Sequence, residues 1–160
     1  MADLFIFETL QTLYMVFTST LFALLIGLPL GILLFITEED NIWPNTVINK
    51  VLGGIVNIFR SIPFIILMMV LFPFTKFLIG KRIGATATIV PLSIAAAPFI
   101  ARVMESSLRE IDKGVIESSL AMGASVGEII KMVLIPESLP SIISGITLTI
   151  INLIGYSAMA

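Results

Sequence analysis

A stretch of 25 residues without a charged side chain, residues 12–36, constrains this chain more than any other feature. As an α-helix rising about 1.5 Å per residue, it is long enough to cross the roughly 30 Å hydrocarbon layer of a membrane. A soluble domain of 160 residues could not bury the remaining apolar surface either, since 58% of the chain is hydrophobic and its mean hydropathy is +1.10. We therefore predict an all-α integral membrane protein.

Three further apolar segments predict a polytopic bundle of membrane helices. Spans are expected at residues 12–36, 51–79, 83–103 and 139–160, with a polar loop at residues 105–137. The second segment is too long for one straight span, and we expect its helix to break near Pro63. Together, residues 1–160 are expected to form a single transmembrane domain.

The first span contains two glycines one helical turn apart, Gly27 and Gly31, with Pro29 between them. Small residues at this spacing allow another helix to approach closely, but such glycines are also common in membrane helices. The sequence leaves both interpretations open.

The composition excludes several classes of function. A net charge of -2 provides no basic excess for binding a phosphate backbone, so we expect no nucleic-acid partner. The absence of histidine and cysteine removes the commonest general base, thiolate nucleophiles and the usual zinc ligands. We therefore expect a protein that is not an enzyme and holds no cofactor or metal.

Basic residues in the loops indicate the orientation, because Lys and Arg tend to stay on the cytoplasmic side. With the N-terminus outside, four bases lie inside and three outside: Lys50, Arg109, Lys113 and Lys131 against Lys76, Lys81 and Arg82. This slight excess favours a cytoplasmic position for residues 105–137. Asp3 and Glu8 stand where a secretory signal would carry bases, so we expect the first apolar stretch to be retained as an anchor.

The polar loop predicts two short helices. Residues 114–122 favour a helix that ends at Gly123, a residue able to adopt the left-handed conformation that closes helices. Ser125 and Glu128 fit a capping box at the start of the second helix, and Pro136 is predicted to end it. Such an element can lie along the bilayer surface or present its first helix to a groove on another protein.

The sequence of this loop resembles the EAA signature of permease subunits in bacterial ABC importers. Glu117, Ser118 and Ser119 occupy the Glu-Ala-Ala positions, and Gly123 follows after three residues. Nine residues later comes a Val-Leu-Ile-Pro segment that ends at Pro136, in place of Ile, any residue, Leu and Pro. The spacing agrees throughout, while the two serines and the Val and Ile are departures in side chain.

The resemblance extends beyond the signature. Residues 60–64 and 107–114 are similar to the same family, and essentially the whole chain resembles the permeases of methionine (D-methionine) importers. This implies a type I ABC importer permease fold in the bacterial inner membrane, paired as a homodimer. It also implies two cytoplasmic ATP-binding subunits and a periplasmic or lipid-anchored substrate-binding protein as partners. Family members have five spans, so we expect a fifth span after residue 160.

The resemblance also implies roles for individual residues. The helix around residues 117–123 would be the coupling helix that contacts the ATPase. The implied ATPase-coupling residues are Glu117, Ser118, Ser119, Ala121, Gly123 and Pro136. Glu117 has three interpretations: it pairs with a base on the ATPase, pairs within its own loop, or is simply solvated.

Arg60 is a cation inside an apolar run, where a charge costs roughly 3 kcal/mol or more unless it snorkels, pairs or faces water. A functional contact, snorkelling and hydrogen bonds to carbonyls freed near Pro63 are all open. Arg102 is interpreted as an interfacial anchor at the end of its span. Four side chains are candidates either for the pore lining or for lipid contact: Met68, Met69, Phe72 and Tyr156.

Two other functions are alternatives to an ABC permease. An ion- or proton-coupled carrier would place acidic residues within its spans, whereas all eleven acids are predicted in tails or loops. A structural membrane subunit would need the same spans but not the loop signature. No Gly-x-x-x-x-Gly-Lys-Ser/Thr stretch occurs, so ATP binding is expected from a partner chain.

Overall fold

The computed structural model describes residues 2–159, and every regular element within them is helical, which confirms the all-α class. Three helices are long and apolar enough to cross a membrane, or four if the bent pair α2–α3 counts as one span. The elements are α1 (Ala2–Ile36), α2 (Thr46–Ser61), α3 (Phe64–Ile79), α4 (Ala85–Arg109), α5 (Lys113–Ala121), α6 (Val126–Ile129), a π-helical turn (Ile130–Leu134) and α7 (Ile135–Ser157).

Helices α2 and α3 meet at a bend of 108°. Ile62 and Pro63 between them are extended, with ψ angles of 124° and 138°. Because proline lacks an N–H and disfavours a helical residue before it, α2 ends at Ser61 and a new helix begins at Phe64. The predicted break near Pro63 is confirmed.

Helix α4 lies at the centre of the bundle and packs against α1, α2, α3 and α7. Its closest neighbour is α1, which approaches through the two glycines. A Cβ atom on Gly27 would lie 2.7 Å from the Ala97 carbonyl oxygen, and one on Gly31 would lie 2.5 Å from that of Ala101. Of the two interpretations of these glycines, the packing role is therefore confirmed. On the other side of α4, a Cβ on Gly145 of α7 would overlap Val103.

Two of the buried hydrophobic clusters follow α4 from its middle to its C-terminal end. The mid-bundle cluster consists of Val16, Ala23, Phe64, Leu92, Ala96, Ala97, Ile100 and Leu153. The loop-end cluster consists of Phe35, Ile36, Met104, Leu108, Ile116, Ile129, Leu134 and Ile142. The second cluster joins the membrane helices to the short helices of the polar loop.

The predicted helix stop at Pro136 is wrong. The helix that begins at Val126 continues through Pro136 to Ser157. In the π-helical turn just before the proline, the Ile135 amide donates to the Ile130 carbonyl, five residues back. This wider turn displaces the carbonyls that a proline ring would strike in a regular helix, so the helix passes the proline without ending.

The expectation that all acids lie in tails or loops is also wrong. Helix α4 continues to Arg109, past the predicted end of the span at residue 103, and includes Glu105, which is only 4% exposed. Asp3 and Glu8 lie in α1, and Glu137 lies in α7. The polar residues at the end of α4 continue the helix because neither glycine nor proline interrupts them.

Candidate functional site

Helix α5 is a short helix with a defined start and end. At its N-terminus, the Asp112 carboxylate accepts a hydrogen bond from the Gly114 amide at 2.8 Å. At its C-terminus, Gly123 has a φ of +83°, and the Ala124 amide donates to the Ser119 carbonyl. This left-handed closure confirms the conformation predicted for Gly123.

The next helix begins two residues later with the predicted capping box. The Ser125 hydroxyl accepts from the Glu128 amide at 3.4 Å, and the Ser125 amide donates to the Glu128 carboxylate at 2.8 Å. The box satisfies amides that would otherwise be free at the start of the helix. Together, the closure at Gly123 and this cap fix the angle at which α5 leaves the long helix 126–157.

Helix α5 has one buried and one exposed face. Ile116 and Ser119 are each 7% exposed and face the bundle, and Ile116 belongs to the loop-end cluster. The Ser119 hydroxyl donates to the Val115 carbonyl. The outward face carries the other implied coupling residues of the helix and some exposed apolar side chains: Glu117, Ser118, Ala121, Val115, Leu120 and Met122.

A cavity of about 330 Å³ separates α5 from the loop that follows α1. Four acidic and two basic residues line it: Glu38, Glu39, Asp40 and Glu117 with Arg109 and Lys113. Arg109 is already bonded to Glu38 and Glu105, so the free charge along this cavity is mainly negative. Glu117 has no salt bridge to another described residue, which contradicts the interpretation that it pairs within its own loop.

A chain of ion pairs connects the end of α1 with α2 through α4. Arg109 donates to Glu38 and Glu105, in each case at 2.8 Å. Arg102 donates to the other oxygen of Glu105 at 2.6 Å and to the Asn57 side chain of α2 at 2.8 Å. The buried Glu105 carboxylate therefore accepts from two arginines, which offsets the cost of burying its charge.

Sequence reasoning missed this network and placed Arg102 at the membrane interface as an anchor. The structure instead turns Arg102 inward to Glu105 and Asn57, with 26% of its side chain exposed. The spacing of Arg102, Glu105 and Arg109 by three and four residues was a usable signal, because such residues share one face of a helix. The partners of these arginines outside α4, Glu38 just after α1 and Asn57 of α2, carried no signal in the sequence.

Arg60 lies away from α5, in the last turn of α2. It lines a second cavity with residues from α3, α4 and α7. Among residues 2–159 it forms no salt bridge, and no carbonyl near Pro63 accepts a hydrogen bond from it. The hypothesis that Arg60 stabilises the helix break by such bonds is therefore not supported. Pro136 also lies apart from the α5 surface, within the long helix that follows.

Comparisons with known proteins agree with this architecture. Residues 27–160 match the family model described as "Binding-protein-dependent transport system inner membrane component". The chain is 52% identical over 153 residues to the "Probable D-methionine transport system permease protein MetI" of Pasteurella multocida (strain Pm70), covering 96% of this chain and 70% of the relative. It is 50% identical to the "D-methionine transport system permease protein MetI" of Escherichia coli (strain K12), covering 93% and 69%.

A solved structure described as "Inward facing conformations of the MetNI methionine ABC transporter" matches with a TM-score of 0.92 at 50% identity. The match covers 93% of this chain and 69% of that chain. The similarity in fold and the match to the family model therefore both cover most of the sequence. The chain belongs to the family of inner-membrane components of binding-protein-dependent transport systems.

Proposed function

We propose that this chain is the permease subunit of an ABC importer that carries methionine across the inner membrane. The support is the family membership together with the methionine-transport names of relatives about half identical to it. A separate ATPase subunit hydrolyses ATP, since the chain has no phosphate-binding glycine-rich motif. The working complex contains a second copy of the permease, two cytoplasmic ATPases and a substrate-binding protein.

The observation that carries this proposal is the two-faced helix α5. Its exposed face, with Glu117, Ser118 and Ala121, docks in a groove of the ATPase on the cytoplasmic side. The negative charge along the neighbouring cavity suits a basic group on that partner. This placement requires the N-terminus of the chain to lie outside, the orientation that the loop charges favour.

The buried face of α5 provides a route for movement into the membrane helices. Ile116 packs in one cluster with Phe35 of α1, Leu108 of α4 and Leu134 of the π-helical turn. Because packed interiors transmit displacement rather than absorb it, a shift of α5 moves these elements together. The long helix 126–157 then extends this connection from the loop into the bilayer.

The structure gives no specific support to the rival carrier. Glu105 is the kind of buried acid that an ion- or proton-coupled carrier would use. Both of its carboxylate oxygens, however, accept hydrogen bonds from Arg102 and Arg109. Two arginines already balance the charge of this carboxylate, so no unpaired negative charge remains there to hold a coupling ion.

Two substitutions test the docking of α5. A valine at Gly123 must adopt a φ of +83°, which costs a non-glycine residue about 1–3 kcal/mol and redirects the helix. A lysine at Glu117 reverses the charge offered to the ATPase. We expect Gly123→Val and Glu117→Lys each to lower co-purification of the ATPase and ATP-driven methionine uptake about tenfold.

The matched controls are Gly127→Val and Glu110→Lys. Gly127 has open space around it and lies in the same region without a left-handed backbone. Glu110 is exposed and lies outside the acidic cavity beside α5. If both test variants keep normal co-purification and uptake in membrane vesicles, α5 is not the docking element.

A further inference from the structure

A second cavity, of about 190 Å³, lies where the α2–α3 break faces α4 and α7. Its wall on α4 is formed by Ala95, Ala96 and Phe99, which lie at the middle of the helix Ala85–Arg109. A helix of 25 residues is long enough to span the bilayer, so we infer that this cavity lies near the membrane midplane. It is smaller than the roughly 300–1,000 Å³ pockets of drug-sized ligands, and so fits a small molecule.

Three polar side chains line this cavity without partners in the described chain. Arg60 comes from α2, and Asn152 and Tyr156 come from α7. None of their side chains forms a hydrogen bond or salt bridge with another residue in the range 2–159. All three side chains are exposed in the single chain, so a ligand or water in the cavity can reach them. In the membrane core such groups are costly without one or the other, and Arg60 carries a permanent positive charge.

Apart from Thr149, whose hydroxyl donates to the Gly145 carbonyl, the remaining walls are apolar, and one of them is held in a fixed geometry. The Phe64 ring, the first residue after the helix break, stacks on Tyr156 with 4.8 Å between centroids and 11° between planes. The rest of the apolar lining consists of Phe59, Ile62, Leu67 and Leu153. No acidic residue lines the cavity in the described chain. A single cation beside apolar walls selects a carboxylate that carries an apolar side chain, rather than a basic molecule.

We propose that this cavity is a binding site within the transport path, where Arg60 holds the carboxylate of the amino acid in transit. The apolar walls take its side chain, and Asn152 and Tyr156 provide the additional polar contacts. This inference rests on the proposed function of the chain as a methionine permease. In secondary transporters, substrate sites likewise lie near the midplane beside broken helices.

Binding of radiolabelled methionine to the detergent-solubilised permease–ATPase complex tests this site, with the substrate-binding protein left out. The ATPase subunit alone gives the background. Removing a charge-assisted hydrogen bond to the ligand should weaken binding about 10- to 100-fold in Arg60→Gln. Lys81→Gln is the matched control, because Lys81 is an exposed cation in the α3–α4 loop outside this cavity.

A second arm uses the unmodified complex and does not depend on the folding of a variant. Methioninamide has an amide in place of the carboxylate, whereas norleucine keeps the carboxylate and an unbranched apolar side chain. We expect norleucine to compete with methionine, and methioninamide to compete at least about tenfold less well.

The results separate this inference from the proposed function. Methioninamide that competes as well as methionine overturns the site, as does Arg60→Gln binding at the unmodified affinity or the absence of binding above background. ATP-driven methionine uptake by the unmodified complex with its binding protein is measured in parallel. Loss of that uptake would overturn the permease assignment itself, whatever the binding results.

Discussion

At the scale of single residues, glycines determine how closely the helices pack. Gly31 allows α1 to approach α4 until a Cβ would lie 2.5 Å from both the Ala101 carbonyl oxygen and the Met104 Cβ. Neither atom is the free end of a flexible side chain, so the neighbours cannot simply rotate away. The helices must separate to admit even one methyl group.

We therefore expect Gly31→Ala to destabilise the bundle by about 1–3 kcal/mol through overpacking. Thermal unfolding of the detergent-solubilised protein should show this as a fall of several degrees in the apparent melting temperature. Gly54→Ala is the control, because a Cβ at Gly54 meets nothing within 4 Å. Equal melting temperatures for the two variants would show that α1 and α4 are not in tight contact at Gly31.

The glycines differ in how far the sequence alone predicts their roles. Gly123 lies between two helix-forming segments, so its left-handed conformation follows from local chemistry. Gly27 and Gly31 show only a spacing that many membrane helices share. Their role depends on Ala97 and Ala101 of α4, which lie opposite them in the fold.

At the scale of elements, the capping box fixes the start of the long helix 126–157. Substituting Ser125 with alanine removes the hydroxyl that accepts from the Glu128 amide, which typically costs about 1 kcal/mol. We expect the amides of Ile129 and Ile130 to exchange hydrogen about fivefold faster in Ser125→Ala, as measured by mass spectrometry.

Ser118→Ala is the matched control for this prediction. Its exposed hydroxyl donates to the Val115 carbonyl within α5 and caps no helix. The same exchange rates at Ile129 and Ile130 in both variants would mean that the box does not stabilise this helix.

Two prolines illustrate why some element boundaries can be predicted and others cannot. Pro63 disfavours a helical conformation at Ile62, the residue before it, and α2 ends there. Pro136 has the same geometry, but the π-helical turn at Ile130–Leu134 makes room for its ring. The packing of Ile129, Leu134 and Ile142 in the loop-end cluster holds the helix on course through this turn.

At the scale of the whole molecule, Glu105 connects three parts of the fold. It joins Arg102, which reaches Asn57 of α2, to Arg109, which reaches Glu38 at the end of α1. Glu105→Ala leaves both arginines without this shared partner. Since Arg102 is 26% and Arg109 57% exposed, water can solvate them in part, and we expect a loss of roughly 1–3 kcal/mol.

Thermal unfolding again measures this loss, and Glu105→Gln should lie between the alanine variant and the unmodified protein because its amide oxygen still accepts one bond. Glu110→Ala is the control, since Glu110 is exposed and belongs to no salt bridge in the described chain. A Glu105→Ala variant that melts like Glu110→Ala would show that the network contributes nothing to stability.

By itself, the sequence determined the membrane environment, the all-α class, the break at Pro63 and the turn at Gly123. Each of these depends on the length of an apolar run or on the backbone chemistry of one residue, which act before the chain folds. Only the tertiary structure decided that Glu105 is buried between two arginines and that Arg60, Asn152 and Tyr156 line one cavity. These groups come from different helices, and their proximity follows from packing against α4 rather than from any local pattern.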